Sequence, residues 1–455
     1  MKRTLGQFAA HCGGTLHGAD AEFGQALIDS RKLGAGDLFL ALPGTRTDGH
    51  QFVAAAAAAG AAGAVVTQRM PAALPQIVVA DVEAALGAAA RAWRAAFGGV
   101  VIGVAGSNGK TTVKEMIASI MGLSGEVMAT QGNLNNQLGV PLTLLRLDRQ
   151  RVAVIEIGAN HPGEVAALAG IARPSIGLIT NAGAEHLEGF GDLDGVARSE
   201  GEMVASLPGE GTAIINADDG YAPLWRNMTR ARVRSFGFGI TADVRASDMR
   251  LTVGERGFAA RFELEADTGR IAVELALAGR HNVRNALAAA AAALAAGATL
   301  PQVATGLAAM RAVPGRLDFR LTAGGAWLID DSYNANPSSV LAALEVLAEL
   351  PGKRWMVFGD MGELGPEAER FHREAGSAAR AHGVERLFTH GPLAATAAEA
   401  FGAGAEVHMN TDTLNDALSA ALQPEVRLLI KGSRVNRLER VVNALCGAPD
   451  ARPKG

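Results

Sequence analysis

The stretch that most constrains the fold lies at residues 100–121, which read VVIGVAGSNGKTTVKEMIASIM. A β-branched apolar run ends in a glycine-containing loop, and Lys110, Thr111 and Thr112 open an amphipathic helix. A strand, a glycine loop and a helix in that order wrap backbone N–H groups around a polyphosphate, since the glycines allow close approach and the helix N-terminus faces the anion. Lys110 would supply positive charge, and a threonine hydroxyl can ligate Mg²⁺. The pattern therefore predicts nucleotide binding.

The loop departs from the usual phosphate-binding pattern G-x-x-x-x-G-K-[ST], because Val104 stands where the first glycine is expected. Gly106 instead precedes Gly109 by three residues. A strand–turn–helix that merely uses glycines is the alternative interpretation. The apolar strand before the loop and the helix after it are the context that the phosphate-binding motif requires, and they favour phosphate binding.

Composition limits the class of protein. A chain of 455 residues exceeds what one hydrophobic core usually supports, so two or three domains are expected. The formal net charge of −4 and the scattered Lys and Arg residues argue against nucleic acid or an anionic membrane as a partner. Cys12 and Cys446 stand in no metal-binding or redox spacing, and no segment is typical of a signal peptide or a membrane span. We therefore expect a cytoplasmic protein without membrane insertion, and a monomer.

Apolar and helical segments alternate in three groups along the chain. Such alternation predicts parallel sheets covered by helices, and hence an α/β fold. We expect a small N-terminal α/β domain, a central P-loop mononucleotide-binding parallel sheet and a C-terminal Rossmann-like α/β domain, at residues 1–83, 84–312 and 313–455. Besides the strand before the glycine loop, the expected strands lie at 37–42, 64–67, 76–80, 152–157, 176–180, 212–216, 327–330, 355–358, 386–389 and 426–430.

Polar side chains follow the apolar strands of the central and C-terminal domains. Glu156 ends one strand, Asn181 and His186 follow another, and Asp330 and Asp331 end a third. Each could be a cap or a turn residue, which is the simpler interpretation when each is taken singly. Open α/β sheets, however, place their sites at the carboxyl ends of the strands. Together, beside one phosphate-binding loop, these side chains favour a metal–nucleotide cleft.

Two asparagine-rich stretches lie at 132–137 and 279–285, and they read GNLNNQ and GRHNVRN. Asparagine is a poor helix former and a good cap, so the second stretch could be only the start of the alanine-rich helix that follows. Uncharged amides near phosphates could instead hold a substrate without adding a competing charge. Both interpretations stay open on these residues alone.

Taken together, the motifs resemble those of the Mur ligases, the ATP-dependent family that builds the peptide of bacterial peptidoglycan. The resemblance covers nearly the whole chain and rests on AGSNGKTT (105–112), EIGANHPGE (156–164), NAGAEHLEGFG (181–191), NADD (216–219), GRHNVRNALAA (279–289) and PGR (314–316). At the N-terminus, DSR (29–31) and GDLFLALPGTRTDGHQF (36–52) are similar to the UDP-sugar-binding domain of the family. Similarity to the member that adds D-alanyl-D-alanine is seen in GNLNNQLGVPLTLL (132–145), DDSYNANPSS (330–339), GDMGELG (359–365) and KGSR (431–434).

The resemblance implies an amide ligase with ATP and Mg²⁺ as cofactors. Its substrates would be UDP-N-acetylmuramoyl-tripeptide and D-alanyl-D-alanine, joined through an acyl phosphate. The first step brings a carboxylate to an anionic phosphate, so metal ions and Lys110 are needed to offset the charge.

The resemblance also implies roles for individual residues. The phosphate cradle would consist of Gly106, Ser107, Asn108, Gly109, Lys110, Thr111 and Thr112. Elsewhere ATP would contact Asn285 at the adenine, Asp331 at the ribose and Arg316 at a phosphate. Mg²⁺ would bind to Thr111, Glu156 and His186. The UDP group would contact Ser30, Arg31, Thr45, Arg46, Asp48 and His50. The tripeptide would lie against Asn133, Asn135 and Asn136, and the D-alanyl-D-alanine side against Asn334, Asn336, Lys431 and Ser433.

Glu200 is a departure from the family pattern. Most members carry a lysine at this position, which CO₂ converts to a carbamate that helps to hold the second Mg²⁺. No lysine lies between Lys114 and Lys353, so a neighbour cannot replace it. We expect the Glu200 carboxylate to be a built-in metal ligand and a catalytic group with Lys110, Glu156 and His186. The alternative is a surface glutamate beside Arg198, with the metal bound through water.

The resemblance leaves two other classes to be tested. A related amide ligase, such as folylpolyglutamate synthase or the diaminopimelate- or lysine-adding Mur enzyme, would share the P-loop, Glu156 and His186. A nucleotide-dependent switch would hydrolyse ATP slowly and would need no acceptor. The UDP-type domain and the stretches YNANP and GDMGELG favour the D-alanyl-D-alanine ligase. Residues 313–315 are the expected hinge for closure of the third domain on the second.

Overall fold

The computed structural model describes residues 3–44, 47–254 and 257–447. Thr45 and Arg46, two of the residues expected to contact UDP, lie outside the described residues. Within the described ranges, three sheets of five, nine and six strands follow one another along the chain. The α/β fold with an N-terminal, a central and a C-terminal sheet is therefore confirmed. The boundaries at 1–83, 84–312 and 313–455 stay a prediction.

The N-terminal sheet has helices on both faces. Its strands are β1 (Thr15–His17), β2 (Ala26–Leu27), β3 (Leu38–Leu40), β4 (Gly63–Val66) and β5 (Gln76–Val78), in the order β1-β5-β4-β3-β2. Only the β1–β5 pair among these is antiparallel. Helix α1 (Leu5–Cys12) packs on one face and α2 (Val53–Ala58) on the other. Helix α3 (Val82–Ala96), capped by Asp81, leads into the central sheet.

The central sheet is parallel over most of its width. Its strands are β6 (Val100–Ala105), β7 (Val127–Ala129), β8 (Val152–Glu156), β9 (Ile176–Ile179), β10 (Thr212–Asn216), β11 (Arg232–Gly237), β12 (Val244–Gly254), β13 (Gly257–Ala266) and β14 (Gly269–Leu275). They lie in the order β14-β13-β12-β11-β10-β9-β6-β8-β7, and only the β12–β13 and β13–β14 pairs among these strands are antiparallel. The carboxyl ends of β6, β8, β9 and β10 therefore meet at one edge, where an active site is expected.

The helices of the central unit cover both faces of its sheet. They are α4 (Lys110–Gly122), α5 (Gly139–Leu144), α6 (Glu164–Ala172), α7 (Leu187–Phe190), α8 (Leu193–Ala205), α9 (Ala222–Met228), α10 (Arg280–Ala295) and α11 (Leu300–Ala308). The alanines of α10 are buried and share a core with Val113, Met116 and Ile117 of α4. Because alanine carries no side chain beyond Cβ, α10 can pack closely against α4. This packing brings the first two turns of α10 beside the glycine loop.

The C-terminal sheet has one antiparallel edge strand. Its strands are β15 (Asp318–Leu321), β16 (Trp327–Asp331), β17 (Lys353–Gly359), β18 (Arg386–His390), β19 (Ala405–His408) and β20 (Val426–Lys431), in the order β15-β16-β20-β17-β18-β19. One face is covered by α12 (Pro337–Ala348), α13 (Ala368–Ala381) and α14 (Ala394–Phe401). The other face is covered by α15 (Thr411–Ala421) and α16 (Glu439–Cys446).

Every strand expected from the sequence is present within two residues of its expected ends. The antiparallel extension β12–β14 was not expected. Strand β12 is mostly part-exposed after Val244, and β13 mixes buried with part-exposed positions. The strands also carry many charges, among them the Arg245–Glu265 pair at 2.6 Å, so they lack the continuous apolar run of a buried parallel strand. No helix in the described ranges has the length and apolar character needed to cross a membrane.

Candidate active site

The loop between β6 and α4 contains two glycines with positive φ. Gly106 has a φ of +120° and Gly109 a φ of +85°. A Cβ at Gly106 would come within 2.1 Å of the Thr180 hydroxyl at the end of β9, and one at Gly109 within 2.5 Å of Asn285 Oδ1 in α10. Both positions therefore require glycine. The loop lies at the N-terminus of a helix of 13 residues, where free N–H groups and the helix dipole favour an anion.

The segment after β9 holds the glycine loop in shape. The Asn181 amide accepts from the Asn108 N–H at 3.0 Å and donates to the Asn108 carbonyl at 2.9 Å. The Ser107 N–H donates to the Asn181 carbonyl at 2.9 Å, and the Ser107 hydroxyl accepts from the Gly183 N–H at 2.8 Å. The loop is thus preorganised by its neighbours.

Lys110 lies folded against its own loop. Its ammonium donates to the Gly106 carbonyl, to the Ser107 carbonyl at 2.9 Å and to Glu185 Oε1 at 3.2 Å. Burial by itself would lower the pKa of Lys110, but the charges of Glu185, Glu200 and Glu156 outweigh it and raise that pKa above its ordinary value. Lys110 is therefore a permanent cation within an acidic cluster.

Glu200 is buried at the base of this cluster. Only 4% of the residue is exposed, and its Oε2 accepts the Gly106 N–H at 2.6 Å. Burial raises the pKa of Glu200 to about 7, although the Lys110 ammonium and the Gly106 N–H act in the opposite direction. Arg198 instead lies on the surface, 3.8 Å from Asp192. The alternative of a surface glutamate beside Arg198 is therefore wrong, and Glu200 faces the glycine loop.

Glu156 and Thr111 form a carboxylate–hydroxyl pair beside the loop. Glu156 Oε1 accepts from the Thr111 hydroxyl at 3.2 Å and from Asn135 Nδ2 at 2.9 Å. Glu156 Oε2 is buried without a hydrogen-bond partner, and Lys114 Nζ lies 3.8 Å from it. An unpartnered buried carboxylate oxygen beside a hydroxyl fits a hard divalent cation such as Mg²⁺.

His186 is engaged by the C-terminal unit. Its Nδ1 contacts Glu363 Oε2, and the Glu188 N–H donates to the Glu363 carbonyl at 3.3 Å. Across the residues that the structure describes, no three His, Cys, Asp or Glu side chains are gathered closely enough to hold a metal ion by themselves. The residues expected to bind metal thus lie around one loop, in separate pairs.

The C-terminal unit also contacts the glycine loop directly. Asn336 Nδ2 donates to Asn108 Oδ1 at 2.9 Å and to Glu185 Oε2 at 3.4 Å, and Asn108 Nδ2 donates to the Ser338 hydroxyl at 3.0 Å. Asn336 is also the N-cap of α12, where its Oδ1 accepts the Ser339 N–H at 2.9 Å. A continuous chain of hydrogen bonds therefore joins α12, through Glu185, to Lys110.

The first two turns of α10 line the other side of the loop. Asn285 Nδ2 donates to Asn282 Oδ1 at 3.1 Å, and Asn282 Nδ2 donates to the Ala278 carbonyl at 2.8 Å. The Asn285 side chain lies against Gly109, because its Oδ1 is 2.5 Å from the position that a Cβ at Gly109 would take. Burial lowers the pKa of the adjacent His281 to about 4.

Residues after the 313–315 segment form a second group of candidates. Asp331 is bonded on both oxygens, by Lys431 Nζ at 2.5 Å and by the Leu317 N–H at 3.2 Å. The Lys431 side chain is only 2% exposed, and its ammonium also donates to the Asn334 carbonyl at 3.0 Å. The Ser433 hydroxyl accepts the Gly362 N–H at 2.8 Å. The guanidinium of Arg316 lies 4.3 Å from the centre of the Tyr333 ring.

Of the residues expected to contact UDP, those that the structure describes lie in the N-terminal unit, far from the glycine loop in sequence. Arg31 is exposed and pairs with Asp29 at 2.9 Å, next to Ser30 in a short 3₁₀ turn. His50 is buried between the Asp48 carboxylate at 2.6 Å and the Thr67 N–H at 2.9 Å. His50 therefore shapes its loop rather than presenting a free ring nitrogen.

The asparagines of the 132–137 stretch have different environments. Asn135 reaches Glu156, and Asn136 accepts the Gly139 N–H at 2.9 Å at the start of α5. Asn133 is exposed. Glu185 and Glu363 received no role from the sequence. The signal for Glu185 was a carboxylate next to His186 after a buried strand, whereas the partner of Glu363 is 177 residues away and leaves no local signal.

Comparison with protein families matches three parts of the chain to the Mur ligases. Residues 22–94 match the Mur ligase family catalytic domain, residues 104–293 the Mur ligase middle domain, and residues 315–434 the Mur ligase glutamate ligase domain.

Individual relatives span the same length. The UDP-N-acetylmuramoyl-tripeptide–D-alanyl-D-alanine ligase of Escherichia coli (strain K12) is 42% identical over 446 residues, which is 97% of this chain and 98% of the relative. A crystal structure of MurF from Acinetobacter baumannii superposes with a TM-score of 0.91 at 35% identity, over 98% of this chain and 99% of that one. MurF ligase from Thermotoga maritima in complex with ADP gives a TM-score of 0.80 at 26% identity, over 92% of this chain and 96% of that one.

Proposed function

The chain belongs to the Mur ligase family, and from that premise we propose that it joins D-alanyl-D-alanine to UDP-N-acetylmuramoyl-tripeptide with consumption of ATP. The observation that carries the proposal is the contact of Asn336 with Asn108, because it brings the C-terminal unit to the phosphate-binding loop. A ligase needs such a contact, since the activated carboxylate and the attacking amine come from different substrates.

In the first step, a carboxylate oxygen of the tripeptide attacks the γ-phosphorus of ATP. The bond from that phosphorus to the β,γ-bridging oxygen breaks, ADP leaves, and an acyl phosphate remains. An anion here approaches a polyanion, so fixed positive charge lowers the barrier. Lys110 supplies it once phosphate oxygens replace the carbonyls of Gly106 and Ser107 as its acceptors. Arg316 adds a second cation from the C-terminal side.

Mg²⁺ is the metal ion that fits this site. Thr111 and Glu156 would hold one ion, and His186 with Glu200 would contribute to a second. When bound, the ions neutralise phosphate charge and polarise the γ-phosphoryl group. The unpartnered Oε2 of Glu156 supports the first assignment. His186 would exchange its contact with Glu363 for the metal.

In the second step, the free amine of D-alanyl-D-alanine attacks the acyl carbon. The tetrahedral intermediate then expels phosphate as the C–O bond breaks, and the amide forms. Asn334, Asn336 and Ser433 would position the dipeptide, because they lie on the C-terminal unit that meets the loop. Lys431 would act indirectly, since its ammonium is already bonded to Asp331 and Asn334.

The remaining substrate contacts are assigned by resemblance. Asn285 would contact the adenine, Asp331 the ribose, and Asn133, Asn135 and Asn136 the tripeptide. The UDP group would lie against Ser30, Arg31, Asp48 and His50 with Thr45 and Arg46. We further propose that the protein acts as a cytoplasmic monomer, which size-exclusion chromatography with light scattering would test.

Glu200 gives this ligase a metal ligand that needs no CO₂. Wild-type turnover should therefore be the same in CO₂-free buffer and in bicarbonate. Glu200→Ala should lose most activity, and Glu200→Lys should regain part of it only when bicarbonate is added, because the lysine can then form a carbamate. Undiminished turnover of Glu200→Ala would remove Glu200 from the site.

Phosphate release tests the overall function. The purified protein is given ATP, Mg²⁺ and UDP-N-acetylmuramoyl-tripeptide, with and without D-alanyl-D-alanine. Release that requires both substrates, with a product heavier by one D-alanyl-D-alanine less water, is the expected result. Release that responds to a single amino acid would indicate a sister ligase, and ATP turnover indifferent to every acceptor would indicate a nucleotide switch.

A further inference from the structure

Two arginines on the C-terminal unit share one aromatic ring. The guanidinium carbon of Arg316 lies 4.3 Å from the centre of the Tyr333 ring, and that of Arg434 lies 5.6 Å from the same centre. Cation–π contacts at these distances hold a guanidinium in place while its N–H groups stay free to donate. In the part of the chain that the structure describes, neither guanidinium pairs with a carboxylate. Their charges are therefore available to a ligand.

The loop that carries Arg434 is firmly anchored. The Ser433 N–H donates to the Asp360 carbonyl at 3.0 Å, and Asn436 Nδ2 donates to the carbonyls of Asp360 at 2.7 Å and Ser433 at 2.9 Å. Arg434 is nevertheless exposed. A preorganised backbone beneath an exposed, unpaired arginine is what a binding residue requires.

Tyr333 connects this pair to the reaction site. Its N–H donates to the Gly315 carbonyl at 3.1 Å, and three residues later Asn336 contacts the glycine loop. Ser433, the residue before Arg434, accepts the Gly362 N–H, and the neighbouring Glu363 contacts His186. Arg316 and Arg434 therefore lie in the part of the C-terminal unit that contacts the central unit.

The other polar candidates of this region are already occupied. Lys431 is bonded to Asp331, Ser433 accepts from Gly362, and Asn336 caps α12 while it contacts Asn108. Of the residues of the KGSR stretch, only Arg434 combines a full charge with free donors. Arg434 is therefore the residue of this stretch that is free to bind a substrate carboxylate.

We infer that Arg434 binds the terminal carboxylate of D-alanyl-D-alanine and thereby selects a dipeptide with a free acid. This inference rests on the proposed function and names the group that recognises the acceptor. The planar fork of arginine matches a carboxylate with two parallel hydrogen bonds. An extended dipeptide spans roughly 7 Å. Both guanidinium carbons lie within 5.6 Å of one ring centre, so Arg316 can contact a phosphate while Arg434 binds the far end of a dipeptide of that length.

The test compares D-alanyl-D-alanine with its C-terminal amide, D-alanyl-D-alaninamide, at saturating ATP and UDP-N-acetylmuramoyl-tripeptide. Wild-type enzyme should prefer the acid. Arg434→Gln should raise the KM for the acid about 10- to 100-fold, the value of a charge-assisted hydrogen bond, and should leave the KM for the amide and for ATP unchanged. Arg434→Lys should recover part of the preference. Arg440→Gln, an exposed arginine in the next helix, is the matched control and should behave as wild type.

The outcomes distinguish failure of the carboxylate assignment from failure of the proposed function. The carboxylate assignment is wrong if Arg434→Gln weakens binding of the acid and of the amide equally. It is also wrong if the variant retains the preference for the acid, or if the KM for ATP rises instead. If the wild-type enzyme forms no product from D-alanyl-D-alanine, the proposed function itself fails. An unchanged melting temperature of Arg434→Gln shows that the variant is folded.

Discussion

Replacement of Gly106 by alanine tests the packing that shapes the phosphate loop. The new Cβ would lie 2.1 Å from the Thr180 hydroxyl and 2.8 Å from the Thr180 nitrogen, at a φ of +120°. The hydroxyl contact is far shorter than a van der Waals separation, and the backbone nitrogen belongs to a buried strand end that cannot easily move. Gly106→Ala must therefore displace the loop from β9.

The size of the effect follows from two costs. Overpacking of a well-packed site costs about 1–3 kcal/mol, and a side chain at strongly positive φ costs about 1–2 kcal/mol more. Together they predict a melting temperature lower by roughly 5–15 °C for a domain of this size. ATP turnover should fall further, because the displaced loop no longer directs its N–H groups at phosphate.

Thermal unfolding and phosphate release of purified variants measure both effects. Thr180→Ala removes the nearest clashing atom, a buried hydroxyl without a hydrogen-bond partner, so the double variant should recover part of the stability. Gly122→Ala is the matched control, since a Cβ there meets open space, and it should be neutral or slightly stabilising. If Gly106→Ala has the same melting temperature and turnover as the wild-type protein, the close approach of the loop to β9 is refuted.

Three further predictions concern other parts of the site. Burial lowers the pKa of His281 to about 4, whereas in the unfolded chain it is about 6.5. Between these pH values only the unfolded chain binds the proton, so the free energy of unfolding should fall by about 3 kcal/mol from pH 6.5 to 4. In urea unfolding, the free energy of unfolding of His281→Gln should depend less on pH over this range than that of the wild-type protein. Lys431→Met leaves Asp331 buried without its counter-charge and should cost about 3–5 kcal/mol in urea unfolding, most of which the added Asp331→Asn change should restore. Asn336→Ser keeps a good N-cap for α12 but removes the amide that donates to Asn108 and Glu185, so the melting temperature should hold while kcat falls; equal loss of both would contradict the interdomain role.

The parallel strands were predictable because each is a short apolar run buried on both faces. Residues 212–216 were expected as a strand and are β10. By contrast, β13 alternates buried and exposed residues, and its pairing with β12 contains a register shift between Ser247 and Arg250. A bulged, charged edge hairpin has no apolar run, and its strands are specified by cross-strand pairs that a sequence does not display.

The site was predictable where function needs a special backbone or a strand end. Gly106, Gly109, Lys110 and Glu156 stand out for those reasons. The placement of Glu200 came from the family pattern, and its burial beneath the loop required the structure. The contacts of Asn336 and Glu363 with the central unit join residues 151 to 228 positions apart, and such pairings depend on how the units dock.

The charges at the site make the reaction depend on docking of the C-terminal unit. The central unit has two lysines near its carboxylates, and Lys114 is bonded to the Thr130 carbonyl at 2.5 Å and to Glu115 at 2.8 Å, so it cannot reach a phosphate. Lys110 faces the charges of Glu185, Glu200 and Glu156, and Lys114 lies 3.8 Å from Glu156. ATP adds several negative charges to that cluster, and an attacking carboxylate adds another. The balance has to come from divalent cations and from Arg316, which the C-terminal unit holds against Tyr333. Because Arg316 reaches the phosphates only when the unit is docked, both acyl phosphate formation and ATP hydrolysis should be slow until docking occurs.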